Sequence, residues 1–237
     1  MIHPIYDIET NYFTESLNRA LQVALDDATK FRSEFITPEH LLYAISYQAA
    51  FMSFCEIADV DIDEMHNELF GYIISIDAVP DDEEYIPMLS TNLNEIVQRL
   101  QHFAMSKTKE HIKDLGQTEI TADSLQHGTI LEVMYMLNEL KHSMAQYILN
   151  KYITFKKDWF KNINLFYSQY EETPEAESIE DEAEDETAET LMLKIHNEGS
   201  AIVGTYSQDI AQSKANYTMN LAKANNYPLK LTIEETR

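Results

Sequence analysis

Glu34-Phe35-Ile36-Thr37-Pro38-Glu39-His40-Leu41-Leu42 reads as the entry to a helix. The Thr37 hydroxyl can cap the free N–H groups, and Pro38 then sits at the first helical position, where its missing N–H costs nothing. Glu39 lies in the first turn, on the favourable side of the helix dipole. Leu41, Leu42 and Ile45 begin an apolar face. A start of this kind is common, but a second copy follows 84 residues later as Glu119-Ile120-Thr121-Ala122-Asp123-Ser124-Leu125. The order Ile, Thr, an acid two positions on, and Leu is kept. Internal repetition of this kind points to a duplicated unit.

Upstream of the first copy, Phe13, Leu17, Ala20, Leu21, Ala24, Leu25 and Ala28 recur at three- and four-residue spacing, which predicts an amphipathic helix from Asn11 to about Phe31. Downstream, Phe51, Phe54, Cys55 and Ile57 predict a short helix, and Asp59–Asp63 a turn into a helix carrying Met65, Leu69, Tyr72, Ile73 and Ile76. Residues 79–87 (VPDDEEYIP) break the pattern as an exposed acidic loop. Leu93, Ile96, Val97, Leu100 and Phe103 restore helical spacing, in a long helix closing at Gly116. A helix opened by the second cap carries Leu125, Ile130, Val133, Met134 and Leu137. Met144–Leu149 form another, and a last runs from Thr154 through Trp159, Ile163 and Phe166. Leu17 aligns with Leu93 at an offset of 76, against 84 for the cap, so the second half carries an insertion. The expected fold is all-α. An irregular lead (1–10) precedes two four-helix repeats (11–78 and 88–168) joined by the acidic loop and burying each other's apolar faces.

After about Gln169 the composition changes. Glu171 to Glu189 holds eleven acids in nineteen residues with Ile179 as the one large aliphatic, so 169–190 reads as a disordered linker. In the tail, 191–237, Leu191, Leu193, Ile195, Ile202 and Val203 suit short strands or packing on the domain, and Ser207 to Ala224 a helix.

The chain has 237 residues and is 44% hydrophobic, with five glycines and six prolines, a balance that favours long elements with few tight turns. Its net charge of −24, from 41 acids against 17 bases, argues against nucleic acid and anionic membrane as partners. One cysteine, Cys55, leaves no internal disulfide and reads as a buried thiol. Residues 1–7 lack the basic region and apolar run of a signal peptide, and no stretch reaches the roughly 20 apolar residues that span a bilayer. A cytoplasmic protein is expected.

Catalytic constellations are missing from the sequence. No Gly-x-x-x-x-Gly-Lys-Ser/Thr loop, Gly-x-Ser-x-Gly elbow or His-Glu-x-x-His helix occurs. None of the eight histidines forms an i, i+4 ligand pair, and the neighbours Glu39-His40 do not face one ion. The expectation is no catalytic residue, metal or cofactor.

A duplicated four-helix unit whose second helix opens with Glu34, Phe35, Thr37, Glu39, His40, Leu41 and Leu42 resembles the N-terminal domain of the Clp-type AAA+ unfoldases over about residues 11–165. Leu17-x-x-Ala20-Leu21-x-x-Ala24 fits the same pattern. Pro87-x-Leu89-Ser90 after an acidic loop is similar to the ClpA branch, although Met88 stands where those relatives carry a hydroxyl residue. Tyr217-x-x-Asn220-Leu221, Pro228-Leu229 and Glu234-Glu235-x-Arg237 are similar to the lead into that family's first ATPase module, which this sequence does not enter.

The resemblance implies recognition without catalysis: a domain on a hexameric ATPase ring that receives protein substrates or a ClpS-type adaptor. By position it implies an adaptor surface at Glu34, Glu39 and Ser90, with Glu39→Lys weakening adaptor binding while the fold stays intact. Glu39 also stabilises its helix as a first-turn acid, by about 0.3–1 kcal/mol. Two other classes stand beside this one. The first is a free-standing regulator that competes for adaptor or substrate. The second is a metal- or small-ligand-binding helical enzyme, which needs histidines that converge in space.

Overall fold

A computed structural model describes residues 10–116, 119–121, 124–169, 202, 204–224 and 229–234. The first repeat comprises α1 (Glu15–Lys30), β1 (Phe35–Ile36), α2 (Pro38–Ser46), α3 (Ala49–Ile57) and α4 (Ile62–Ile73). The second comprises β2 (Met88–Leu89), α5 (Thr91–Asp114), α6 (Ile130–Glu139), α7 (Met144–Tyr152) and α8 (Trp159–Gln169). A further helix, α9 (Gln208–Ala224), lies in the tail. The architecture is all-α, and among the described residues the strands amount to two parallel pairs, Phe35 with Met88 and Ile36 with Leu89.

Residues 35–42 of the quoted stretch are buried. On α2, Pro38, Glu39, His40, Leu41, Leu42, Ala44, Ile45 and Ser46 are all buried, so this helix is covered on every side. α1 lays Leu17, Ala20, Leu21, Ala24, Leu25 and Ala28 into the same core, the stripe its spacing predicts. From the second repeat come Leu93, Ile96, Val97, Leu100, Val133, Met134, Leu137, Ile148 and Leu149. One apolar cluster therefore spans both repeats, from Phe13 to Ile163. Cys55 is buried and free, and burial pushes its thiol up to about 12.

The repeats are joined crosswise. The segment before α2 pairs with the segment before α5, through β1 and β2. The segment before α1 pairs with the segment before α6, where Phe13 bridges Gly128. There Gly128 N–H donates to Tyr12 O at 2.8 Å and Thr14 N–H to Gly128 O at 3.1 Å. Since α5 corresponds to α1 and α6 to α2, each repeat's entry to its first helix is bonded to the other's entry to its second.

The second cap behaves differently from its sequence copy. In the first repeat His40 Nδ1 accepts from Thr37 N–H at 3.2 Å and lies 2.9 Å from Thr37 Oγ1. In the second, Ser124 Oγ accepts from Thr121 N–H at 2.9 Å, so serine takes the histidine's place three residues on. The helix nevertheless does not begin there: α6 starts at Ile130, with Thr129 and Glu132 forming a capping box. That intact Thr-x-x-Glu box, with Gly128 before it, is the stronger start signal. Asp123 lies outside the described residues.

α5 is the longest helix described, with Ser90 accepting from Leu93 N–H at 3.3 Å to cap its start. It ends at Gly116, whose φ of +66° suits glycine, with Gly116 N–H donating to Lys113 O at 3.1 Å. The acidic loop is held by Arg32. Its Nε donates to Val79 O at 2.7 Å, one terminal nitrogen reaches Glu83 O at 2.9 Å, and the guanidinium stands 5.0 Å from the Tyr85 ring centroid. Residues 1–9 of the irregular lead and residues 170–201 of the linker and tail lie outside the described residues.

Candidate functional site

The N-terminus of α5 carries the densest set of contacts between the tail and the helical repeats. A helix leaves its first N–H groups without partners inside the helix, and they form a partially positive end. Ser90 takes one of them, from Leu93. The others are met from the tail. Asp209 Oδ1 accepts from Asn92 N–H at 2.9 Å, and Ser213 Oγ accepts from Thr91 N–H at 2.8 Å. Ser213 Oγ also lies 3.0 Å from Thr91 Oγ1. Asp209 and Ser213 are four apart on α9, so one face presents both to α5. Lys214, next on the helix, makes an ion pair with Glu34 and lies 5.0 Å from the Tyr206 ring centroid.

Ile210, Ser213 and Ala215 of α9 are buried. Burial raises the Asp209 carboxyl above the usual range, opposed by the Ser90 hydroxyl and the Asn92 N–H. Tyr72 stands in the same corner. Burial, then the charge of Glu39, pushes its phenol up to about 12, while a hydrogen bond with Ser207 works the other way.

The three residues expected at an adaptor surface divide here. Glu34 is partly exposed and bonded to Lys214. Ser90 is buried but lies directly beneath the contact with Asp209. Glu39 is different: it is 4% exposed, and its Oε1 accepts from Ala145 N–H at 3.0 Å, at the start of α7. It joins α2 to α7 as an internal cap. Burial raises its carboxyl, with the hydrogen bonds from Ala145 and Thr37 opposing the shift. The expectation that Glu39→Lys leaves the fold intact is therefore corrected by this geometry.

Asp209, Ser213 and Lys214 were not singled out by the sequence reading. That reading predicted a helix at 207–224, but Asp-x-x-x-Ser-Lys is too short and common a pattern to mark a contact by itself. Among the described residues no group of three or more His, Cys, Asp or Glu could hold a metal ion, and no helix is long and apolar enough to cross a membrane.

The two sides of this contact are similar to different protein families. Residues 12–114 match the Clp repeat (R) N-terminal domain. Residues 181–232 match the ATP-dependent Clp protease adaptor protein ClpS. The first of these matches covers the first repeat, the acidic loop and α5. The adaptor match falls on the stretch read from sequence as linker and tail.

The adapter protein ClpS of Neisseria gonorrhoeae is 46% identical over 50 residues, which are 21% of this chain and 48% of that protein. That of Treponema denticola is 48% identical over 50 residues, 21% of this chain and 50% of that one. The chain spans about half the length of the curated relatives it matches.

Among solved structures, the N-terminal domain of the ClpV1 ATPase from E. coli is 19% identical. It covers 73% of this chain and 99% of its own, with a TM-score of 0.46. The Hsp104 N-terminal domain from Candida albicans is 12% identical, covering 65% and 87%, with a TM-score of 0.39.

Proposed function

We propose that this chain is a protein-recognition module of the Clp type, without catalysis of its own, whose adaptor surface is the N-terminus of α5 together with Glu34 and Ser90. The supporting observation is the seating of the ClpS-like helix on that surface, through Asp209, Ser213 and Lys214. The surface suits a helix that offers an oxygen acceptor to each of two backbone N–H groups and a cation to a carboxylate. In its fuller form the reading is a substrate- or adaptor-recognition N-domain of an ATP-dependent Clp protease regulatory subunit, mounted on a hexameric ATPase ring. The closeness to the ClpA branch belongs to this proposal as well.

A second reading is a free-standing regulator that competes for adaptor or substrate. One observation favours it: residues 217–229 of the segment that resembles the lead into an ATPase module fall within the adaptor match.

The test is an NMR titration with the adapter protein ClpS of Neisseria gonorrhoeae at several hundred micromolar. The expected result is movement of the Glu34, Thr91 and Asn92 amide signals, with the α3 and α8 signals unchanged. Shifts confined to other elements, or no shifts at all, would overturn the assignment of the surface.

A further inference from the structure

We infer that the chain blocks its own adaptor surface: α9 occupies in cis the place a free adaptor would take. This rests on the proposed adaptor surface and concerns how that surface is regulated.

Three observations carry it. First, the groups that an incoming helix could bond are already used, since Thr91 and Asn92 N–H and the Glu34 carboxylate all have partners on α9. Second, the occupant matches the adaptor family itself, so occupant and competitor present the same chemistry to the same groups. Third, the contact is closed to water where it matters, since Ser213, which accepts from the Thr91 N–H, is itself buried. The apolar cluster of the repeats runs from Phe13 to Ile163 and includes no residue of α9. Releasing α9 therefore uncovers the surface and leaves the core of the domain in place.

The arithmetic favours the tethered occupant. A covalently linked segment binds at an effective concentration on the order of 1 mM, whereas a free adaptor competes at its own concentration. A segment with an intrinsic Kd of about 100 μM would thus weaken the apparent affinity of a free adaptor about tenfold. The recognition pattern is also explicit: Asp209 and Ser213 for the helix end, and Lys214 for Glu34. A competitor must supply an acceptor and a cation in the same order along one helix face.

The experiment uses the full chain and two variants. Asp209→Lys/Lys214→Glu alters α9 alone and leaves Glu34, Ser90, Thr91 and Asn92 untouched. Glu34→Lys/Lys214→Glu exchanges the charges of the ion pair. Hydrogen exchange reports docking of α9, and titration with Neisseria gonorrhoeae ClpS reports access to the surface.

In the unaltered chain α9 should be protected and adaptor binding weak. In Asp209→Lys/Lys214→Glu, protection of α9 should fall to that of an isolated helix, and the adaptor should bind about tenfold tighter or better. The charge exchange should restore protection. Equal adaptor affinity for the unaltered chain and the released variant, with α9 protected in the former, would overturn self-occlusion while leaving the recognition reading standing. Release of α9 with no adaptor binding to either chain would overturn the adaptor surface, and the inference with it.

Discussion

Buried Glu39 and His40 and half-buried Asp27 show how differently ionisable side chains are used as water is withdrawn from them. Glu39 is an acceptor held inside the domain for Ala145 N–H. Replacing it by glutamine keeps an acceptor oxygen and removes a buried charge, so Glu39→Gln should change stability by no more than about 1 kcal/mol. Lysine offers no acceptor and sets a cation against the positive end of α7. Glu39→Lys should cost about 3–5 kcal/mol, the range for an uncompensated buried charge. Urea denaturation of both variants checks this; similar midpoints would rule out the internal-cap role.

Asp27 is raised to about 6 by burial, against a weaker opposing pull from Lys30. A raised carboxyl binds its proton more tightly when folded. Its contribution to stability is therefore present below about pH 4 and lost as pH rises through about 6. His40 is lowered to about 3 by burial, so its contribution is present above about pH 6.5 and lost as pH falls. The two oppose each other between about pH 4 and 6. Asp27→Asn should remove one slope and leave stability falling more steeply on acidification, as measured by denaturation at pH 4.5, 5.5 and 7.

At the level of elements, most of the helical repeats was legible because period and caps agree. The apolar stripe of α1 and the Thr-Pro-Glu opening of α2 each specify an element locally. The misreading at 121–125 has a local cause too. The Thr121 N–H to Ser124 hydrogen bond reproduces that of the first cap, while Thr129 and Glu132 offer a complete box a few residues later, where α6 starts. Pattern matching found the copied turn; the helix followed the stronger cap.

The crossed entries could not be read in advance, since they depend on pairings between segments far apart in the chain. They place Gly128 where a Cβ would meet Leu100 Cγ at 2.5 Å, and Leu100 is itself buried. Gly128→Ala should destabilise by about 1–3 kcal/mol, seen as a lowered denaturation midpoint. Arg32→Ala should release the acidic loop, because three loop carbonyls and the Tyr85 ring depend on that guanidinium. Limited proteolysis within 79–87 should then become faster, and an unchanged rate would show that the Tyr85 O–H, which donates to Thr29 O at 2.9 Å, holds the loop without Arg32.

For the whole molecule, charge matters more than any single pair. At −24 the compact state is opposed by its own repulsion, which salt screens over about 8–10 Å at moderate ionic strength. Raising salt from 10 to 150 mM should therefore raise the melting temperature, although it weakens the ion pair between Lys214 and Glu34. Glu34 and Ser90 enter as candidates through the family resemblance alone, and their contacts with Lys214 and Asp209 lie more than a hundred residues away on a helix whose own sequence announces no binding role. The crossed joining of the repeats carries a last consequence, one of ancestry. Two identical half-length chains exchanging their helix entries in this way would form a symmetric pair, each copy completing the other, and fusion through an acidic connector would give the present chain. The halves should still remember that arrangement. Cut within the connector, they should stay associated and unfold together, neither persisting folded without its twin.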